Sequence, residues 1–65
     1  MLIKIDEVNA TTMYIGRTQS GNSTVAPVWS ILKYTVSGTI TDFETPLGVP
    51  KGSAVWDDRA SYTYG

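Results

Sequence analysis

Val28-Trp29-Ser30-Ile31-Leu32-Lys33-Tyr34-Thr35-Val36-Ser37-Gly38-Thr39-Ile40-Thr41-Asp42-Phe43-Glu44 is the stretch on which the fold turns. β-Branched and aromatic residues fill both of its arms, and these are the types that fit a pleated, half-buried surface. Ser37-Gly38 interrupts them as a two-residue turn, because glycine tolerates the positive φ that tight hairpins need. The stretch therefore reads as a hairpin with strands over 28–36 and 39–44. Pairing Val36 with Thr39 sets Tyr34 against Thr41, Leu32 against Phe43 and Lys33 against Asp42. One face then gathers Leu32, Tyr34, Val36 and Phe43, and the other carries an opposite-charge pair. Trp29 and Ile31 share that second face, so both faces of the hairpin are expected to meet protein.

Upstream, 2–8 and a stretch from Thr11 or Thr12 to Arg17 form a second pair of strands. Two registers are open, and the side-chain faces choose between them. A two-residue loop would mix Lys4 and Asp6 with Met13 and Ile15. A three-residue loop, Asn9-Ala10-Thr11, pairs Ile5 with Ile15 and Glu7 with Met13 and so gathers Ile3, Ile5, Met13 and Ile15 on one face. The second segregates better, and these four residues are expected to pack on a face of the central hairpin. Asn9 serves as a turn residue.

Between the hairpins, 18–27 is polar, rich in turn-formers and without periodicity, which reads as a long loop. Loops near this length tend to be functional or ordered by a partner. Downstream, Pro46, Gly48, Pro50 and Gly52 forbid a regular helix or a central strand. The tail opens on Trp56-Asp57-Asp58, where either acid can cap a short turn, and 61–64 reads as an extended edge. The expected architecture is all-β: a small antiparallel meander, sandwich or partly open barrel of four to five strands, one domain over 1–65, with no substantial helix.

With 65 residues, the chain is near the size at which a single core supplies only about 3–5 kcal/mol. Disulfides, a metal or association usually add to such a core, and this chain has no Cys and no His. Disulfides are excluded and a structural zinc nearly so. The same inventory removes Ser/His and Cys/His relays, and a chain this small offers no deep cleft in which to raise a carboxyl pKa. The expectation is no enzymatic activity and no cofactor. Asp57, Asp58, Glu44 and Asp42 are oxygen donors that suit calcium, but without an EF-hand spacing; pairing with Arg59, Lys33 or Arg17 is the alternative. Five basic residues against six acidic ones leave no surplus for phosphate contacts, so nucleic acid is not an expected partner. No apolar run approaches the ~18–20 residues of a spanning helix, so membrane insertion is not expected. The start, with Lys4, Asp6 and Glu7 among its first residues, does not read as a secretory signal.

Seven aromatics are a heavy load for this length. Trp29, Trp56, Tyr62 and Tyr64, with Arg59, are the candidates for an interface or for stacking on a ligand such as a host surface glycan. Burying a Trp removes on the order of 200 Å² from water, which suits a core or a subunit interface. Trp29 or Trp56 is expected to pack against a neighbouring chain.

Tyr14-Ile15-Gly16, Ala26-Pro27-Val28-Trp29, Ile31-Leu32-Lys33-Tyr34-Thr35-Val36-Ser37-Gly38 and the terminal Trp56-Asp57-Asp58-Arg59-Ala60-Ser61 run resemble, in that order, a group of very small proteins encoded by tailed bacteriophages. The likeness spans most of the chain and is most specific from Trp56 to Ser61. It departs over 45–51, where the group more often has an acidic or aromatic segment in place of prolines. What it implies is a structural or accessory virion component, in capsid decoration, neck, tail or fibre. Such a component is made in the host cytoplasm and associates with copies of itself or other virion proteins. A glycan- or receptor-binding module, or a small phage protein that binds a host partner by strand addition, are the alternatives.

Overall fold

In the computed structural model, which describes residues 1–65, four strands run as an antiparallel meander in chain order: β1 (Leu2–Asn9), β2 (Thr12–Thr18), β3 (Pro27–Ser37) and β4 (Ile40–Glu44). A two-residue strand, β5 (Ala54–Val55), pairs with the start of β3. One 3₁₀ turn follows at Trp56–Asp58, and there is no other helix. The sheet is open; it does not close into a barrel.

The body of the first hairpin has the register that gathers the isoleucines, with Ile5 opposite Ile15 and Glu7 opposite Met13. Its turn is tighter than a three-residue loop: Asn9 already faces Thr12, and an irregularity between Glu7 and Asn9 absorbs the extra residue. The Asn9 Oδ1 atom accepts from both the backbone N–H and the hydroxyl of Thr11, each at 2.9 Å, which fixes the bend.

The second hairpin departs from the expected register by two residues. Ser37 faces Ile40, Val36 faces Thr41, Tyr34 faces Phe43 and Lys33 faces Glu44. Turn chemistry explains the shift. A Ser37-Gly38 turn with glycine second would require positive φ at Ser37 as well, whereas Gly38-Thr39 requires it only at the first position. Gly38 has φ +62°, and no residue other than glycine has positive φ. A shift of two leaves each side chain on its expected face, so Leu32, Tyr34, Val36 and Phe43 still stand together. Tyr34 and Phe43 meet edge to face, 5.3 Å between ring centroids.

The larger correction concerns which face is the core. Directly paired residues share a face, so Ile3, Ile5, Met13, Ile15, Leu32, Tyr34 and Phe43 stand on one side of the sheet, and Leu2, Asp6, Tyr14, Gly16, Thr18, Trp29 and Ile31 on the other. The second side is the buried one. Tyr14, Trp29, Ile31, Ala54 and Trp56 form the core, with Leu2, Val49, Tyr62 and Tyr64 packed around it. Trp29 and Trp56 thus lie inside this chain, against each other, with ring centroids 5.5 Å apart, and not against a neighbour. Both faces of β3 are apolar, and the residues after β4 cover one of them: 54–64 brings Trp56, Tyr62 and Tyr64 to the aromatic side, and the loop before it adds Val49.

Coverage is a folded layer, and the extended edge expected over 61–64 is met only at its end, where 63–65 pair antiparallel with 45–47. The 3₁₀ turn and the bends after it bring the chain back, and only Tyr64 bridges to Pro46. The Leu47 N–H donates to the Thr63 carbonyl at 2.8 Å, and Thr45 exchanges backbone hydrogen bonds with Gly65. Neither Asp57 nor Asp58 caps the turn: the capping position is Val55, and no side chain bonds there.

The long polar loop is held by the chain itself. The Trp29 indole N–H donates to the Ser23 carbonyl at 3.0 Å, and the Asp57 N–H donates to the Thr24 carbonyl at 3.1 Å. The Thr18 hydroxyl donates to the Val28 carbonyl and accepts from Asn22, closing the base of the loop. Its order follows from serving the buried polar atom of Trp29, since a buried indole N–H needs a partner.

Candidate functional site

The C-terminal residues singled out from the sequence come together, but as a latch over the core. The Arg59 guanidinium lies 4.6 Å over the Trp56 ring, donates through Nη1 to the Trp56 carbonyl at 3.1 Å and pairs with Asp6 Oδ2 at 3.0 Å. Asp6 is 53 residues away in sequence, and nothing in a single sequence marks it as the partner. Trp29 and Trp56 are essentially closed to solvent. Tyr62 accepts a hydrogen bond from the Val55 N–H, and Tyr64 donates one to the Arg59 carbonyl at 2.7 Å. Burial, and after it the neighbouring Tyr14 and Tyr62 phenols, push the Tyr64 hydroxyl up to about 12, opposed by Arg59.

Gly16 completes this side. A Cβ there would fall inside contact distance of the Trp56 ring and at 3.0 Å from Trp29, so the bare backbone of β2 is the floor on which the Trp pair lies. Tyr14 and Gly16 of β2, Trp29 of β3 and the Trp56–Arg59 run meet here, in the core and its latch.

What is left for a partner is the opposite face. Ile3, Ile5 and Phe43 are 57%, 62% and 59% exposed, and Met13, Ile15, Leu32, Tyr34 and Val36 between them are only partly covered. By register, the face is a grid of rows across the strands. Ile3, Arg17 and Ser30 make one row; Ile5, Ile15 and Leu32 make the next; Glu7, Met13, Tyr34 and Phe43 make the third.

A cleft of about 540 Å³ opens from one side of this face, where β3 has lost β4 and not yet met β5. It lies at the sheet edge between the two faces: Ile15, Arg17 and Leu32 line it from this face, Trp29 and Ile31 from the covered one, and Val49 and Lys51 from the connecting loop. It contains two cations and no carboxylate. No group of three or more carboxylates converges anywhere in the chain, so Asp42, Glu44, Asp57 and Asp58 do not assemble a calcium site; the one ion pair is Arg59–Asp6. Compared with protein-family models, curated proteins and solved structures, the chain matches none of them.

Proposed function

We propose that this chain is a non-enzymatic structural or accessory subunit that acts by protein–protein association, as a small component of a bacteriophage virion. The observation that carries the reading is the asymmetry of its sheet: one face is sealed by the chain's own tail, and an equally apolar face is left open. Only seven of 65 residues are buried, a thin core even for this length, and covering the second face would roughly double it. Burial of apolar area contributes about 25 cal/mol per Å², so the open face is the largest stabilisation the chain has yet to realise. The glycan reading is less well supported, because of its candidate platforms Trp56 is inside the core, and Tyr62 and Tyr64 are half-buried with their hydroxyls bonded to backbone.

The bacteriophage setting rests on the sequence likeness. Mass spectrometry of purified virions tests it: the protein is expected in the particle at a fixed ratio to a major structural protein. A chain that is abundant in infected cells but missing from particles would overturn the virion assignment.

A further inference from the structure

We infer that the occupant of the open face is a second copy of the same chain, related by a two-fold axis that runs across the strands along the row Ile5, Ile15, Leu32. This rests on the association reading above and specifies its partner.

Charge decides it. The three rows of the open face carry two charged residues of opposite sign, at opposite ends: Arg17 stands in the row of Ile3, and Glu7 in the row of Met13. Rotation about the middle row places each strand over its own counterpart, running the other way. Arg17 then lies over the partner's Met13, one strand from the partner's Glu7, and the symmetric contact repeats on the other side. Packed sheets stand about 10 Å apart with strands about 4.8 Å apart, a span that an Arg and a Glu side chain close together. The alternative two-fold, along the strands, stacks Arg17 near Ser30 and leaves all four charges unpaired over apolar surface, where burial is costly. The first axis therefore makes the face self-complementary, as an isologous contact requires.

Middle-row residues meet their own counterparts, so Ile15 packs on Ile15 and Leu32 on Leu32. The tail latch, with the Trp pair buried beneath it, lies on the far side of each sheet, away from the contact.

The test is light scattering and sedimentation equilibrium on the intact chain, with the fluorescence of the buried Trp pair reporting that each variant is folded. The wild type is expected to be a dimer at high micromolar concentration. Glu7→Arg and Arg17→Glu each set like charges together and should weaken it on the order of tenfold. The double reversal should restore it. The chain has no Cys of its own, so Ile5→Cys, near the axis, should cross-link to itself through a short bismaleimide, whereas Ala60→Cys, exposed on the tail, should not. A wild type that stays monomeric, or a dimer indifferent to both reversals, overturns the inference. If the folded monomer cross-links through Ile5→Cys to a different virion protein in the particle, the second copy is excluded while association through this face stands. If it cross-links to nothing in either setting, both fall.

Discussion

The two faces of the sheet are built from similar residues and end in opposite states. On one, Tyr14, Trp29 and Ile31 are sealed beneath Trp56 and the residues that follow it; on the other, Ile5, Ile15 and Phe43 face outward. Apolar content does not distinguish them. The difference lies in what the chain can bring to each. The tail supplies one cover, Gly16 makes room for it, and Asp6 holds its Arg59. All three stand on the aromatic side. A face is buried when a complementary segment exists to bury it, and the other face waits for one from outside.

Substitutions on the covered face should act on stability alone. Trp56→Ala removes half of the Trp pair and should cost about 3–5 kcal/mol, the whole stability of a chain this small. Urea titration followed by circular dichroism should show it unfolded or nearly so; a folded Trp56→Ala monomer would mean that the tail does not close the core. Gly16→Ala drives a methyl into the same ring and should cost about 1–3 kcal/mol, visible as a lowered urea midpoint with an unchanged slope. Asp6→Asn and Arg59→Leu break the latch, each by about 1 kcal/mol, and the double variant should cost less than the sum. Full additivity would show that the two do not act as a pair.

The Tyr64 hydroxyl adds a pH signature on the same side. Its folded value lies near 12 against an ordinary 10, so the unfolded chain releases that proton first. Thermal melts should therefore hold level on this account up to about pH 10 and then fall as pH rises towards 12. Tyr64→Phe should flatten that descent while lowering the plateau through the lost bond to the Arg59 carbonyl; an unchanged descent would place its origin elsewhere. The smallest effect belongs to the open face. At concentrations where the chain is monomeric, Ile5→Thr should change stability by no more than about 0.5 kcal/mol. A loss of 2 kcal/mol would erase the contrast between the faces.

The positions of β1 to β4, and the partition of their side chains between faces, are legible in the residues because alternation is a local signal; the two-residue β5 carries no such alternation. The Ile5–Ile15 register could be read from segregation alone. The Gly38 turn was misplaced by one residue, which shifted the register by two; the preference for glycine at the first turn position, where Ser37 is spared a positive φ, was the available signal. The choice of core face was not legible. Period-two patterning says which residues stand together and not which set is covered, and the cover comes from a segment with no periodicity. Asp6 escaped notice for a related reason: its significance depends on a guanidinium far along the chain. Arg59, Tyr62 and Tyr64 lie together over the core, but aromatic content cannot separate a lid from a ligand platform.

The order of the elements along the chain has a kinetic consequence. A meander can zip up hairpin by hairpin as it is made, since each strand pairs with the one before it. The lid is encoded after Glu44, and synthesis at about 5–20 residues per second delays its arrival by roughly one to four seconds. During that interval the nascent sheet presents sticky surface on both sides. Arg59 docking on Asp6 is the event that ends this exposure on one side, and it cannot occur until Arg59 itself has been translated.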